Sequence, residues 1–435
     1  MRPRQTRPRL LQAMIDAFSL PDLRRRILIT IGILVVFRFI AHVPLPGVDL
    51  QALRDLFERN ALLGILDMFS GGAMRQLSVA AMGVYPYITA SIIMTLLVPV
   101  IPRLQAISQE GEAGQHRINV ITHWLTVPLA GLSGYGQLVL FQREGVITSA
   151  GLLPTIAMIL SLIAGTMFLV WLGERITENG IGNGISIIIF AGIVAGLPQM
   201  VQQGFLVQEN FLGLVIYVLI ALATTVFIVY FIEAHRRIPV QYAKSVFRGG
   251  RMYRQSGSTH IPLRVNTAGM IPLIFAMSIV IFPGIVASYF VTGEGGFAYW
   301  VVQLFRPDTS LPLGLFYWLL YFVLVIAFAF FYTMVIFQQQ DLPGVLQRQG
   351  GFIPGIRPGK QTANYLNGVI KRITWAGAIF LALVAIMPFL AREITDVQVI
   401  QLSSMGMLIV VGVVLDTMKQ LEAQLIMRRY EGFIK

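Results

Sequence analysis

Ten stretches of mostly apolar residues, each near 20 long, recur along the chain, and nothing else in the sequence restricts the fold as strongly. They run 24–43, 77–99, 118–141, 152–172, 184–201, 211–232, 268–291, 312–337, 373–390 and 401–421. The fifth and ninth are the shortest. A helix rises about 1.5 Å per residue, so about 20 apolar residues cross the hydrocarbon core of a bilayer. A helix also satisfies its own backbone hydrogen bonds, which lipid cannot do for it. Of the 435 residues, 56% are hydrophobic and only 12% charged, whereas soluble domains carry about 25% charged residues. The expected fold class is all-α: a polytopic membrane protein with ten transmembrane helices.

Basic residues set the expected orientation, because short loops rich in Lys and Arg stay cytoplasmic. With the N-terminus inside, the segments 1–26, 100–117, 173–183, 233–265, 338–372 and 422–435 lie in the cytoplasm and hold 25 of the 33 Lys and Arg. Only Arg54, Arg59, Arg75, Arg143, Arg306 and Arg392 fall on the other side. Acidic residues split ten and ten. The basic start, MRPRQTRPRLLQAMIDAFSLPDLRRR, lacks an apolar core followed by a small-residue cleavage site, so the first apolar stretch reads as a permanent span. Cysteine is absent, which excludes disulfides and thiolate metal sites and fits a reducing cytoplasm or a hot habitat.

Ten spans divide into five and five. Because five is odd, the second half enters the membrane from the opposite face, and two inverted, pseudo-symmetric five-helix halves are expected. These are an N-terminal half 1–201, a hinge loop 202–210 and a C-terminal half 211–435. Loops 233–265 and 338–372 are long and basic. Loop 233–265 carries seven Lys or Arg against one acid. They serve topology and anionic lipid, or dock a large anionic partner such as RNA or an acidic motor. Segment 60–75, NALLGILDMFSGGAMR, is too short to span and contains Asp67. It reads as an interfacial helix, or as a short helix folded back into the protein.

Several chemistries are missing. No G-x-x-x-x-G-K-[ST] phosphate loop occurs, and GIRPGK at 355–360 has the wrong spacing. The glycines of NGIGNG (179–184) follow no strand, so a dinucleotide site is not expected. The histidines at 42, 116, 123, 235 and 260 make no metal motif, and the spans hold no paired carboxylates. No catalytic residues, cofactor or metal are expected. Within the spans only Arg38, Asp416 and Lys419 are charged, and all lie near the ends, where snorkelling or a local Asp–Lys pair accounts for them. The second span carries Gly83, Tyr85, Thr89, Ser91 and Thr95. Such small and hydroxylated residues allow close helix contact, either as plain packing or as a contact that opens.

The segments GVYPYITASIIMTLL (83–97), NGIGNGISIIIFAGIVAGLP (179–198), VNTAGMIPLIFA (265–276), GGFIPGIRPGKQTANYL (350–366) and MLIVVGVVLDT (407–417) resemble signature segments of the bacterial SecY family. The resemblance implies the pore-forming subunit of a protein-conducting channel in the bacterial inner membrane. Unfolded polypeptides would cross it, and transmembrane segments would leave sideways into lipid. It implies an hourglass waist of Val84, Ile88, Ile185, Ile189, Ile274 and Ile409. The pairs 84/88 and 185/189 have the i,i+4 spacing of one helix face. Segment 60–75 then matches a movable plug, with Leu62, Leu63, Ile65, Leu66, Met68 and Phe69 as its apolar face. A lateral gate would part the second and seventh spans at Tyr85, Thr89, Ser91, Thr95, Asn266, Thr267 and Ser278. Arg248, Arg251, Arg357 and Lys360 would dock the ribosome and the SecA ATPase motor, with SecE and SecG as small membrane subunits and signal peptides, nascent chains and lipid as further partners. The rival readings are a ten-span secondary transporter of small solutes and a membrane enzyme acting on lipid-linked substrates.

Overall fold

The computed structural model describes residues 18, 20–59, 67, 70–147, 151–207, 211–248, 251–269, 271–288, 290–291, 295–306, 313–340, 342–395 and 404–431. Each of the ten apolar stretches contains a helix. In chain order the elements are α1 (Pro21–Ile40), α2 (Leu50–Arg59), α3 (Tyr85–Leu97), α4 (Pro102–Ser108), α5 (Glu112–Arg143), α6 (Leu152–Asn179), α7 (Gly184–Val207), α8 (Phe211–Glu233), β1 (His235–Arg248), β2 (Arg251–Arg264), α9 (Ile271–Ser288), α10 (Phe297–Leu304), α11 (Leu313–Gln340), α12 (Leu342–Arg348), β3 (Gly351–Phe352), α13 (Lys360–Thr395) and α14 (Ser404–Glu431). Among the described residues, five stretches are long and apolar enough to cross a membrane unaided: Glu112–Arg143, Leu152–Asn179, Val215–Glu233, Leu313–Arg348 and Lys360–Met387. Helices α3 and α4 meet that test only together and are bent by 103°. Pro99 and Pro102 stand at the bend, where each removes a helical N–H and the preceding residue is pushed out of the helical region. Gly184–Pro198 and Ile271–Gly284 are shorter apolar helices.

Three boundaries differ from the sequence reading. The second span becomes helical only at Tyr85, because Leu77 (φ 39°) and Gly83 (φ 55°) hold left-handed backbone and Pro86 starts the first turn. Residues 77–79 instead bond to 43–45, through Leu45 N–H to Leu77 O (3.0 Å) and Val79 N–H to Val43 O (3.0 Å). Helix α7 runs on to Val207, so most of the expected hinge loop is helix. Helix α13, expected to be short, is 36 residues long. Its first turns bury Leu366 and Ile370, an i,i+4 pair on one face.

The chain forms two compact units. One comprises Met1–Glu209, Ile281–Gly314 and Gln398–Lys435; the other comprises Asn210–Val280 and Leu315–Val397. In the first unit α5 packs on α3 and α6, α6 on α7 and α1, and α14 on α7. A Cβ on Gly134 would meet Met82 Sδ at 3.2 Å, and one on Gly165 would strike the Val79 carbonyl oxygen, so absent side chains allow this close packing. The amphipathic helix α2 buries Leu53 and Leu56 over a core that includes Met74, Leu77, Leu138, Phe141 and Leu162.

In the second unit α8 packs on α13, with Phe231 and Phe380 stacked at 3.8 Å. The long loop 233–265 is a β-hairpin. Its antiparallel register runs from His235 opposite Arg264 to Arg248 opposite Arg251. Ile238 and Val240 are buried, while Arg237 and Pro239, which alternate with them, are exposed, the period-two pattern of a half-buried strand. Strand β3 adds to β1 through Gln241 opposite Phe352 and Tyr242 opposite Gly351. Ile238, Val240, Phe337, Leu346, Ile353, Leu366 and Ile370 then form one core, joining both basic loops in a single folded body.

Candidate pore, plug and docking surface

The glycine-rich run 179–184 shows how local sequence builds this region. A Cβ on Gly184 would collide with the Gly173 carbonyl oxygen, and one on Gly180 would lie 2.5 Å from Thr30 Oγ1. Gly182 (φ 80°) passes beside Thr417 Oγ1 of α14. The freed backbone groups find side-chain partners. Ile181 N–H donates to Thr30 Oγ1 (3.2 Å), Gly184 N–H to Thr177 Oγ1 (2.9 Å) and Ser186 N–H to Asn183 Oδ1 (3.1 Å), the last capping α7. Leu23, Ile181 and Leu421 bury together beside it. Thus α1, α6, α7 and α14 meet at one joint. Sequence reading excluded a nucleotide site here but missed this role, because the partners Thr30 and Thr417 are remote along the chain.

That joint fixes α7, which carries Ile185 and Ile189, against α14, which carries Ile409. Ile189 and Ile409 are buried and Ile185 is half-buried. Val84 sits at the start of α3, accepts from Ile88 N–H at 3.0 Å, and is buried with it. Ile274, on the part of α9 that belongs to the second unit, is buried, 7% exposed. None of the six is exposed as a lipid-facing isoleucine would be.

The expected plug face, Leu62, Leu63, Ile65, Leu66, Met68 and Phe69, lies outside the described residues. Around it, Asp67 and residues 70–75 are closely bonded. Asp67, buried, accepts at Oδ1 from the N–H groups of Met74 and Arg75 (3.1 Å each) and pairs through Oδ2 with Arg75 Nε at 2.9 Å. Ser70 Oγ donates to the Asp67 carbonyl oxygen (2.9 Å) and accepts from Met74 N–H (3.0 Å). Burial raises the Asp67 carboxyl above its ordinary value, against the opposing pull of Arg75, the two amides and Ser70. Arg38 Nη1 donates to the Gly71 carbonyl oxygen at 2.7 Å. A span-end arginine read as snorkelling therefore reaches into this segment instead.

Along the expected gate, Thr89 donates to Tyr85 O (3.1 Å) and Thr95 to Ser91 O (2.8 Å), both within α3. Asn266, buried, donates to Gly269 O (3.1 Å), and Thr267 donates to Arg264 O (2.9 Å). Ser278 is half-buried on α9. Thr89, Thr95, Asn266 and Thr267 thus spend a donor each on a backbone carbonyl close by in the chain.

Of the docking residues, Arg248 and Arg251 are the last paired positions of the hairpin. Arg357 and Lys360 are exposed. Gly355 (φ 83°) and Gly359 (φ 97°) bracket Arg357 in turns that favour glycine. Ile356 packs on the core beneath. Thr362 Oγ1, buried, donates to the Arg357 carbonyl oxygen at 3.0 Å. The guanidinium is thus held outward on a rigid loop. Among the described residues, no three His, Asp or Glu gather as a metal site.

Solved structures with the same fold include a channel described by its plug domain, which stabilises the closed state and maintains a membrane seal. It has a TM-score of 0.62 and 17% identity, with 97% of each chain covered. They also include Sec61 in the canine ribosome–channel complex, at 0.59 and 17%, again over 97% of each chain. The fold is that of the polytopic, helical protein-conducting channels. The family model SecY matches residues 78–418. Protein translocase subunit SecY of Halalkalibacterium halodurans is 43% identical over 439 residues, covering 98% of this chain and all of that protein. The Streptomyces lividans subunit of the same name is 41% identical over 446 residues, with the same coverage. The chain belongs to the SecY family and is a subunit of a protein translocation channel. These likenesses give no support to the solute-transporter reading.

Proposed function

We propose that this subunit forms the channel itself, a passive and non-catalytic pore pinched by Val84, Ile88, Ile185, Ile189, Ile274 and Ile409. The carrying observation is that five of these are buried and the sixth half-buried, whereas α9 also exposes Ile279, Phe282 and Val286 and α14 exposes Val414. A narrow apolar constriction stops ions by dewetting, yet offers no polar site at which a passing chain would stick. Residues 60–75 act as the plug under this waist, and α3 and α9 part to release apolar segments into lipid. The two inverted five-span halves, 1–201 and 211–435, provide the opposing walls.

The protein sits in the bacterial inner membrane with both termini in the cytoplasm, as the distribution of Lys and Arg supports. The joined basic loops form one docking surface for the ribosome and for the SecA motor, which supplies the energy; SecE and SecG complete the complex. Support for a ribosome partner is the likeness to Sec61 in its ribosome complex. Arginine suits both partners, since its fork pairs with phosphate or carboxylate alike. The test is site-specific photo-cross-linking from positions 88 and 274 to a stalled export substrate. Cross-links from both positions are expected; a substrate that labels neither position overturns the pore assignment.

A further inference from the structure

A polar circuit joins α3, α5 and α6 of the first unit and takes no part in the pore, plug or docking surface. Tyr87 Oη on α3 donates to Asn119 Oδ1 on α5 at 3.2 Å. Asn119 Nδ2 donates to Glu174 Oε1 on α6 at 3.1 Å. His123 Nε2, one turn after Asn119, lies 3.2 Å from the same carboxylate oxygen. Its ring leans on Tyr87 with centroids 5.6 Å apart.

Chemistry gives the chain one direction. An ionised carboxylate only accepts, so Asn119 must offer Glu174 its NH2, which turns its carbonyl to the Tyr87 hydroxyl. Asn119 and His123 are four apart on one face of α5, and both point toward Glu174. Glu174 lies in the second-last turn of α6. Asn119 from α5 donates to that carboxylate, His123 lies close beside it, and Tyr87 from α3 holds the Asn119 amide in place. Thr177, three residues after Glu174, accepts from Gly184 N–H at the joint that carries α7.

Tyr87 follows Tyr85 of the gate by two residues and directly precedes Ile88 of the waist. We infer that Tyr87, Asn119, His123 and Glu174 are positioning residues that hold α3 at one rotational setting on α5 and α6, so that the circuit sets how readily the gate opens. This rests on the assignment of α3 as a gate helix. A signal segment must supply enough apolar contact to overcome the circuit. Weakening the circuit lets poorer signals through.

The test uses the complete channel complex in membrane vesicles with its motor and ATP, and compares a normal precursor with one whose signal is defective. Tyr87→Phe removes one hydroxyl and keeps the ring; Glu174→Gln removes the charge. One partly exposed hydrogen bond corresponds to roughly a two- to tenfold change in an opening equilibrium. Each variant is expected to raise export of the defective precursor by about that factor while leaving the normal precursor within about twofold. The double variant is expected to do no more than the stronger single one, since both cut one circuit. Unchanged discrimination in both variants, parallel loss of both precursors, or simple additivity overturns the inference. A cysteine pair oxidised between α3 and α9 separates it from the gate assignment. If the locked channel still exports, the gate assignment fails. If locking blocks export but Tyr87→Phe and Glu174→Gln change nothing, only the circuit's role fails.

Discussion

Arg38 Nη1 donates to the carbonyl oxygen of Gly71 at 2.7 Å, tying the end of the first span to the segment proposed as the plug. The bond is charge-assisted and only partly screened, because Arg38 is half-buried. Such bonds contribute about 1.5–3 kcal/mol. Arg38→Gln is expected to loosen the seated segment and raise the resting ion leak of channel-containing liposomes by about tenfold or more. A leak equal to that of the parent would detach Arg38 from any role in sealing.

Gly71 and its neighbour Gly72 make a paired control. Both hold left-handed backbone (φ 69° and 85°), so an alanine at either is strained. Only at Gly71 does a Cβ also meet other atoms: Gly192 Cα at 2.7 Å and Phe37 Cζ at 3.0 Å. Backbone at that distance has nowhere to move. Gly71→Ala is expected to unseat the segment and increase leak well beyond Gly72→Ala, which carries only the backbone cost of about 1–2 kcal/mol. Equal leak from the two variants would place the effect in the backbone alone.

Asp67 predicts a pH dependence. Its carboxyl is raised above 3.8 by burial, which the proposed plug would lose on leaving its seat. A group that binds its proton more tightly when seated favours the seated state at low pH. That contribution is full below 3.8 and is lost as pH rises through the raised value. Accessibility of a cysteine placed at Gly72 is therefore expected to rise as pH is raised above 3.8. In Asp67→Asn this pH dependence should vanish. A parent protein whose accessibility is flat over that range would contradict the account.

Arg357 is exposed on a loop fixed by Ile356 beneath and the Thr362 hydroxyl behind. Arg357→Glu reverses charge without touching the core, so membrane level and protease resistance are expected to hold. Motor-driven export should fall by about tenfold or more, the scale of breaking a charge-paired contact. Export at the parent rate would remove Arg357 from the docking surface.

Much of this molecule was legible in the linear sequence. Each of the ten apolar stretches holds a helix, because a helix satisfies its backbone from residues four apart and needs no distant partner. The i,i+4 pair Val84 and Ile88 was equally readable, and both are buried. The hairpin was not read as strands. Its Ile238–Val240 alternation is short and set among arginines, and it becomes meaningful only when Phe337, Ile353 and Leu366 arrive to cover it.

Sequence by itself determined where the long apolar helices run, give or take their ends, since this depends on composition and near neighbours. Tertiary structure decided what Arg38, Asp67 and the 179–184 glycines are for. Their partners lie far along the chain, as with Thr30 and Ile181, 151 residues apart. A hydrogen bond or a missing Cβ acquires meaning only when a remote backbone is brought within about 3 Å.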